Sequence, residues 1–338
     1  MNILSLFDGI SCGKVALERA GIVCDKYYSS EIDKYAIQVS QANYPDIIQL
    51  GDVKNIDTSK LPKIDLLLAG FPCQSFSIAG KGKGFEDERG NLFFDLMRIF
   101  KEIKPKYFLF ENVASMRKEH REKFDEIIGV KSIMINSSLV SAQQRKRLYW
   151  CNWDVEQPED KGILLKDIIE EGVVDRDKSY CVDANYHKGG NLKSYFDKGR
   201  RQLVFDFNKQ NRVGHFNKGG QADRIYSTNG KSVALSALGG GGGAKTGLYH
   251  IPHGYIKEKI QEHDKYPALC SQSPASKHLL IEKNCIRKLT PIECERLQTL
   301  KDGFTSAVSN TQRYKCLGNG WTVDVITHIL KGIKEVHA

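Results

Sequence analysis

Cys73 stands between Pro72 and Gln74, just past the apolar run Asp65-Leu66-Leu67-Leu68-Ala69. A proline-stiffened turn at the end of a buried strand presents a thiol to a cleft, where its thiolate can act as a nucleophile. A cysteine alone says little, because free cysteine is among the most buried residue types and is usually inert. Three further segments give it company. Glu111-Asn112-Val113 follows the run Tyr107-Phe108-Leu109-Phe110, Arg145 and Arg147 follow Gln143, and the glycine turn Phe7-Asp8-Gly9-Ile10-Ser11-Cys12-Gly13 lies near the chain start. These companions make a functional role for Cys73 a stronger reading than simple burial.

The elements that must position these groups follow from periodicity. From residue 3 to 150, short apolar runs alternate with amphipathic stretches, the pattern of a parallel sheet wound with helices. Strands are expected at Ile3 to Leu6, Lys26 to Ser30, Asp65 to Ala69, Tyr107 to Phe110, Ser132 to Ile135 and Arg147 to Trp150. Helices are expected at Lys14 to Ala20, Lys34 to Asn43 and Asn91 to Ile103; the last puts Leu92, Phe93, Leu96, Ile99 and Phe100 on one face. Ligands of such folds bind outside the carboxyl ends of the strands, where the glycine turn, Glu31, Cys73 and Glu111 all fall. Periodicity fades after Trp150 and returns at Arg287, where Thr290-Pro291 opens a helix with proline at its first position. Val323 to Ile333 reads as a closing amphipathic helix.

The chain has 338 residues and a formal charge of +9. Between Ala184 and His250 there are eleven Lys or Arg against three Asp, so nearly all of that excess lies in one stretch, as suits a surface that tracks phosphates. The same count also fits a solvated loop region. Nine cysteines with no Cys-x-x-Cys pair carry no zinc or disulfide signature and fit a reducing compartment. His250 and His253 flank Pro252 and lack a nearby thiol or carboxylate, so no metal is expected. No run approaches the ~18 apolar residues of a membrane span. Met1 to Phe7 reads as a first core strand rather than a signal peptide. In the middle region, a weak echo links Lys178 to Val182, Lys231 to Leu235 and Lys265 to Leu269.

The ordered set of motifs resembles the cytosine-C5 DNA methyltransferase family, bacterial or phage type. It comprises the glycine turn, Glu31, Asp52, Pro72-Cys73-Gln74, Glu111-Asn112-Val113, Gln143-x-Arg145-x-Arg147, Arg287-x-Leu289-Thr290-Pro291-x-Glu293-x-x-Arg296-Leu297-Gln298 and Gly318-Asn319. Where bacterial members usually read Phe-x-Gly-x-Gly-Gly, this chain has Ser11, Cys12 and Gly13, and Trp321 follows Gly318-Asn319-Gly320. Both features resemble animal de novo DNA methyltransferases.

The resemblance implies an α/β fold: a Rossmann-like S-adenosylmethionine-dependent methyltransferase sheet with helices on both faces, plus an inserted smaller target-recognition domain. The catalytic part would span 1–150 and 287–338, and the insert 151–286. The implied reaction is methyl transfer from S-adenosylmethionine, leaving S-adenosylhomocysteine, to C5 of a cytosine flipped out of a specific duplex DNA sequence through a Cys73–C6 adduct. Glu111 would bind N3 and the exocyclic amine, donating to N3 from a protonated form. Arg145 is assigned to the flipped base and its phosphate or to Cys73, and Arg147 to the same catalytic group or to structure. Phe7, Asp8, Gly9, Gly13, Glu31, Ile32, Asp52, Val53, Asn319 and Trp321 would hold the cofactor. Glu31 suits the ribose hydroxyls and Asp52 the adenine amine. Pro72, Gln74, Ser77, Asn112 and Arg89 would meet the substrate. The glycine- and lysine-bearing stretch from Ser77 to Gly90 is expected to be a loop that closes over DNA. Arg200, Arg201, Arg212, Gln221 and Arg224 are candidates for base reading. A cytoplasmic enzyme of a bacterial or phage-infected cell is implied, with a restriction endonuclease as a possible companion. A transfer-RNA cytosine methyltransferase and a non-catalytic DNA-binding regulator are the competing readings. Intact Cys73 and Glu111 weigh against the second.

Overall fold

A computed structural model describes residues 1–72, 91–190, 192–205, 212–216, 224–227, 248–250, 279–281 and 286–335. The chain divides into two compact units. One holds Met1–Ile163, Tyr180–His187 and Pro291–Ala338; the other holds Leu164–Ser179 and Lys188–Thr290.

The first unit is built on a seven-stranded sheet of order β3-β2-β1-β4-β5-β7-β6. Its strands are β1 (Asn2–Leu6), β2 (Lys26–Ser30), β3 (Ile48–Gln49), β4 (Leu66–Gly70), β5 (Tyr107–Val113), β6 (Ile133–Asn136) and β7 (Lys146–Cys151). Flanking helices are α1 (Cys12–Ala20), α2 (Lys34–Asn43), α3 (Asn91–Ile103) and α4 (Lys118–Ile128). The first five strands run parallel, but β7 is antiparallel to both β5 and β6. The expected parallel sheet is therefore a mixed one. The cause is chain length: residues 137–145 join β6 to β7 through one 3-10 turn, Ser137–Leu139, and a parallel return needs a crossover of a dozen residues or more.

β1, β4 and the first six residues of β5 are almost wholly buried, and the runs 66–69 and 107–110 are apolar without alternation, as in sheets covered on both faces. Phe71, Phe93, Phe124 and Trp150 form one aromatic group within this core, with Phe71 5.2 Å from both Phe93 and Phe124. Phe71 precedes Pro72-Cys73 and Phe93 lies in the first turn of α3, so the chain is anchored by one contact just before residue 73 and just after residue 90.

The second unit contains α5 (Leu192–Lys198), a two-stranded pair of β8 (Leu203–Phe205) with β13 (Ile286–Lys288), and a four-stranded sheet. That sheet has the order β11-β10-β9-β12, from β9 (Arg212–Phe216), β10 (Arg224–Ser227), β11 (Leu248–His250) and β12 (Leu279–Ile281). The second and third members of the sequence echo lie outside the described residues, and the first forms no strand.

The C-terminal part rejoins the first unit as α6 (Pro291–Leu297), α7 (Asn310–Asn319) and α8 (Val323–Glu335). Pro291 opens α6 as expected. α8 packs along α1, fastened by the Arg19–Asp324 pair at 2.7 Å.

Candidate active site

The carboxyl ends of β1, β2, β4 and β5 open into one cleft of about 350 Å³. Its wall includes Phe7, Asp8, Gly9, Glu31, Ile32, Asp52, Val53, Pro72, Glu111, Asn112, Arg145, Arg147, Asn319 and Trp321, all anticipated from sequence. It also includes Asp33, Cys316 and Gly70, which were not. Cys73, Gln74, Ser77 and Arg89 lie outside the described residues, as does the stretch expected to close over DNA. Gly13 is not on the wall. It is buried in the first turn of α1, where a side chain would meet Leu68 Cδ1 at 2.8 Å and Tyr27 Oη at 2.9 Å.

Glu111 is the centre of the inner end. It pairs with Gly70 in the β4–β5 register, and its side chain is mostly buried. Oε1 lies 2.9 Å from Arg147 Nε, and Oε2 accepts from the Trp321 indole N–H at 3.0 Å. Arg147 reaches it as a diagonal neighbour across the antiparallel β5–β7 pair, in which Glu111 faces Tyr149 and Val113 faces Arg147. Asn112 turns the other way and donates to the Phe71 carbonyl at 3.2 Å, steadying the backbone two residues before Cys73.

Arg145, expected at the flipped base and its phosphate or at Cys73, lines the cleft and also holds backbone. Its guanidinium is buried and donates to the carbonyls of Val182 (3.0 Å), Gly318 (3.2 Å) and Gly320 (2.8 Å) and to Cys181 Sγ (3.1 Å). The arginine in contact with Glu111 is Arg147. Burial opposes ionisation of Cys181, but Arg145 and Arg147 outweigh it and hold the thiol below its ordinary value.

At the outer end, Glu31 closes β2. Its Oε2 accepts from Gly9 N–H and its Oε1 from Ile32 and Asp33 N–H, each at 2.8 Å, which fixes the carboxylate on the cleft wall. Asp52 caps the following turn through Oδ1, accepting from Lys54 N–H at 3.0 Å. Ile32 between them is 74% exposed, an apolar surface with no protein cover. Asp8 points inward, accepting from the hydroxyls of Tyr27, Ser29 and Ser11; burial raises its carboxyl above the usual range despite these donors. Two carboxylates flanking an exposed isoleucine fit an adenosine moiety, with acceptors for hydroxyl and amine donors and an apolar face for a ring. Among the described residues no group of His, Cys, Asp and Glu is arranged to hold a metal, and no helix is long and apolar enough to cross a membrane.

The strand order, the antiparallel β7 and the cleft at the carboxyl ends define a Rossmann-like methyltransferase fold. Residues 1–335 match the family described as C-5 cytosine-specific DNA methylase, and the chain belongs to that family. It is an enzyme, a DNA cytosine-C5 methyltransferase, and the family implies S-adenosylmethionine as methyl donor. The chain is 31% identical over 360 residues to the type II methyltransferase M.HhaI of Haemophilus parahaemolyticus, covering 98% of this chain and 94% of the relative. It is 28% identical to the orphan methyltransferase M.SPRI of Bacillus phage SPR, covering 98% and 97%. The methyltransferase EhMeth of Entamoeba histolytica has the same fold, with a TM-score of 0.59 at 16% identity over 100% of this chain and 99% of the other.

Proposed function

We propose that the chain methylates C5 of a flipped-out cytosine in a specific duplex DNA sequence through a covalent bond between Cys73 and C6. The observation carrying this reading is the buried Glu111 carboxylate, gripped by Arg147 and Trp321 and in register with Gly70, three residues before Cys73.

Cytosine C5 is a poor nucleophile. Addition of the Cys73 thiolate forms an S–C6 bond and drives the ring electrons toward C5, splitting one hard step into easier ones. Glu111, protonated for this step, donates to N3 and takes that proton back when the ring is restored, while its other oxygen accepts from the exocyclic amine, which distinguishes cytosine from thymine. Arg147 holds the carboxylate and places positive charge where ring electron density builds. When bound, S-adenosylmethionine supplies a methyl group on a cationic sulfur, which departs with the bonding pair. Loss of the C5 proton to solvent then lets Cys73 leave as thiolate and restores the C5–C6 double bond. Phe7, Glu31, Ile32, Asp52, Val53, Asn319 and Trp321 are assigned to cofactor holding. The target cytosine is hidden in duplex DNA and must be extruded, at a cost of a few kcal/mol of stacking.

The inserted region, read from sequence as 151–286, is assigned to target recognition because it carries the basic stretch, with Arg200, Arg201, Arg212, Gln221 and Arg224 as base-reading candidates. The type II relatives suggest a cognate restriction endonuclease and a cytoplasmic setting. The test is transfer of labelled methyl from S-adenosylmethionine to mixed duplex DNA, with RNA and Cys73→Ser in parallel and base-resolution mapping of product. Methylated cytosine in one short motif, absent with the variant, supports the reading; transfer to RNA alone, or full activity of Cys73→Ser, rejects it.

A further inference from the structure

We infer that Trp321 is a positioning residue for Glu111, set there to hold the carboxylate in the orientation that reads the cytosine. This rests on Glu111 being the base-binding carboxylate. A glutamate at a strand end has three rotatable bonds, and one partner fixes only one of its oxygens. Here each oxygen has its own donor from a different segment: Arg147 of β7 on Oε1 at 2.9 Å and the Trp321 indole on Oε2 at 3.0 Å. The indole is a donor only and carries no charge, so it orients Oε2 without adding a second cation to the site.

Two glycines make the room. A Cβ on Gly70 would lie 2.8 Å from Trp321 Nε1, 3.2 Å from its Cε2 and 3.3 Å from Glu111 Oε2. A Cβ on Gly13 would collide with Leu68 and Tyr27 beneath the same indole, whose Cζ3 is 3.7 Å away. Neither glycine has a positive φ, so the backbone does not demand glycine at either place; close approach does. Gly70 is at once the register partner of Glu111 and the last residue of the strand leading to Cys73. The indole thus sits where carboxylate, nucleophile-bearing segment and cofactor wall converge.

Three tryptophans give the test a spectroscopic handle, because each indole N–H has a different acceptor: Asp125 Oδ1 for Trp150, the Ile329 carbonyl for Trp153 and Glu111 Oε2 for Trp321. The first measurement compares indole N–H resonances, assigned through the backbone, in the wild-type and Glu111→Gln proteins. The Trp321 signal should move and the other two should stay. The second is kinetic. Trp321→Phe, which keeps a ring but loses the donor, should lower kcat about tenfold or more, the scale of a lost hydrogen bond to a charged group. The Kd for S-adenosylhomocysteine should change by a smaller factor. Gly70→Ala should act in the same direction by crowding the pair. An unmoved Trp321 signal in Glu111→Gln overturns the inference even if no tryptophan variant folds. So does a Trp321→Phe enzyme with wild-type kcat and altered cofactor affinity alone. Wild-type kcat in Glu111→Gln would instead reject the base-binding role of Glu111, a separate failure.

Discussion

Arg145 donates to the carbonyl of Gly320 at 2.8 Å, and the same guanidinium holds Gly318 and Val182. One side chain thereby ties the start of β7 to the turn after α7 and to the segment 180–187. Its removal would take a charged donor from three buried carbonyls, of which Gly320 keeps Gln298 Nε2 at 3.2 Å and Val182 only the weak Cys181 thiol. Arg145→Ala is expected to destabilise the protein by about 3 kcal/mol or more, the scale for taking one partner from a buried charged network. Chemical denaturation measures this directly. Wild-type stability with lost activity would return Arg145 to the base-contacting role that the motif alone suggested.

Arg147 should behave in the opposite way. It is partly exposed and meets Glu111 through Nε. We expect Arg147→Ala to cost less stability than Arg145→Ala and to lower kcat roughly 100-fold, the scale of removing one oriented donor from a developing charge. Arg147→Lys should recover only part of the rate, because an ammonium supplies charge without the directed Nε–H. Steady-state methyl transfer beside denaturation curves separates the two arginines.

The contrast also shows where the sequence stops being informative. Lys34 to Asn43 and Asn91 to Ile103 form helices with the bounds that patterning predicts, because a capping aspartate or an apolar face marks them. Most of the cleft residues were legible only through the resemblance to the methyltransferase family, while the glycine turn and Glu111 also follow short apolar runs. α4 escaped notice: Lys118–Ile128 is mostly charged and fully buries only Phe124 and Ile128. The choice between Arg145 and Arg147 escaped too. Arg145 lies just before β7, so spacing does not choose between them, and the contact of Arg147 with Glu111 comes from the β5–β7 register, a pairing between positions far apart in the chain. The partners of Arg145 at residues 182, 318 and 320 are likewise set by tertiary packing that no local pattern records.

Thiol chemistry offers a third check. Burial pushes Cys12 and Cys316 up to about 12 and Cys151 up to about 11, whereas the two arginines hold Cys181 below its ordinary value against the effect of burial. Only the thiolate alkylates, so Cys181 should be modified first among these four by iodoacetamide at pH 8. The rates at the three raised thiols should climb about tenfold per pH unit through pH 7 to 9, while that at Cys181 should flatten at lower pH. Peptide mass spectrometry with timed quenching reads the order. Modification of Cys151 ahead of Cys181 would contradict the electrostatic environment described for the pair of arginines.

In the second unit, Asp175 is wholly buried and accepts from Tyr195 Oη at 2.6 Å, Gln202 Nε2 at 3.1 Å and Arg176 Nη2 at 2.8 Å. Burial works to raise its carboxyl, but Arg176 and Tyr195 together hold it below the ordinary carboxylate value. A carboxyl whose folded pKa is depressed binds its proton more readily in the unfolded chain. Its stabilising contribution is therefore complete above the unfolded value of about 4 and is lost as pH falls through the folded value. Thermal melts from pH 7 down to pH 3 should show the second unit losing stability below about pH 4. Asp175→Asn should remove about 3 kcal/mol at pH 7, where the wild-type carboxylate is ionised and paired, and flatten the acid limb of the melt. A variant as stable as wild type at pH 7 would mean that Arg176, Tyr195 and Gln202 find other partners, and that this buried acid does not organise the unit.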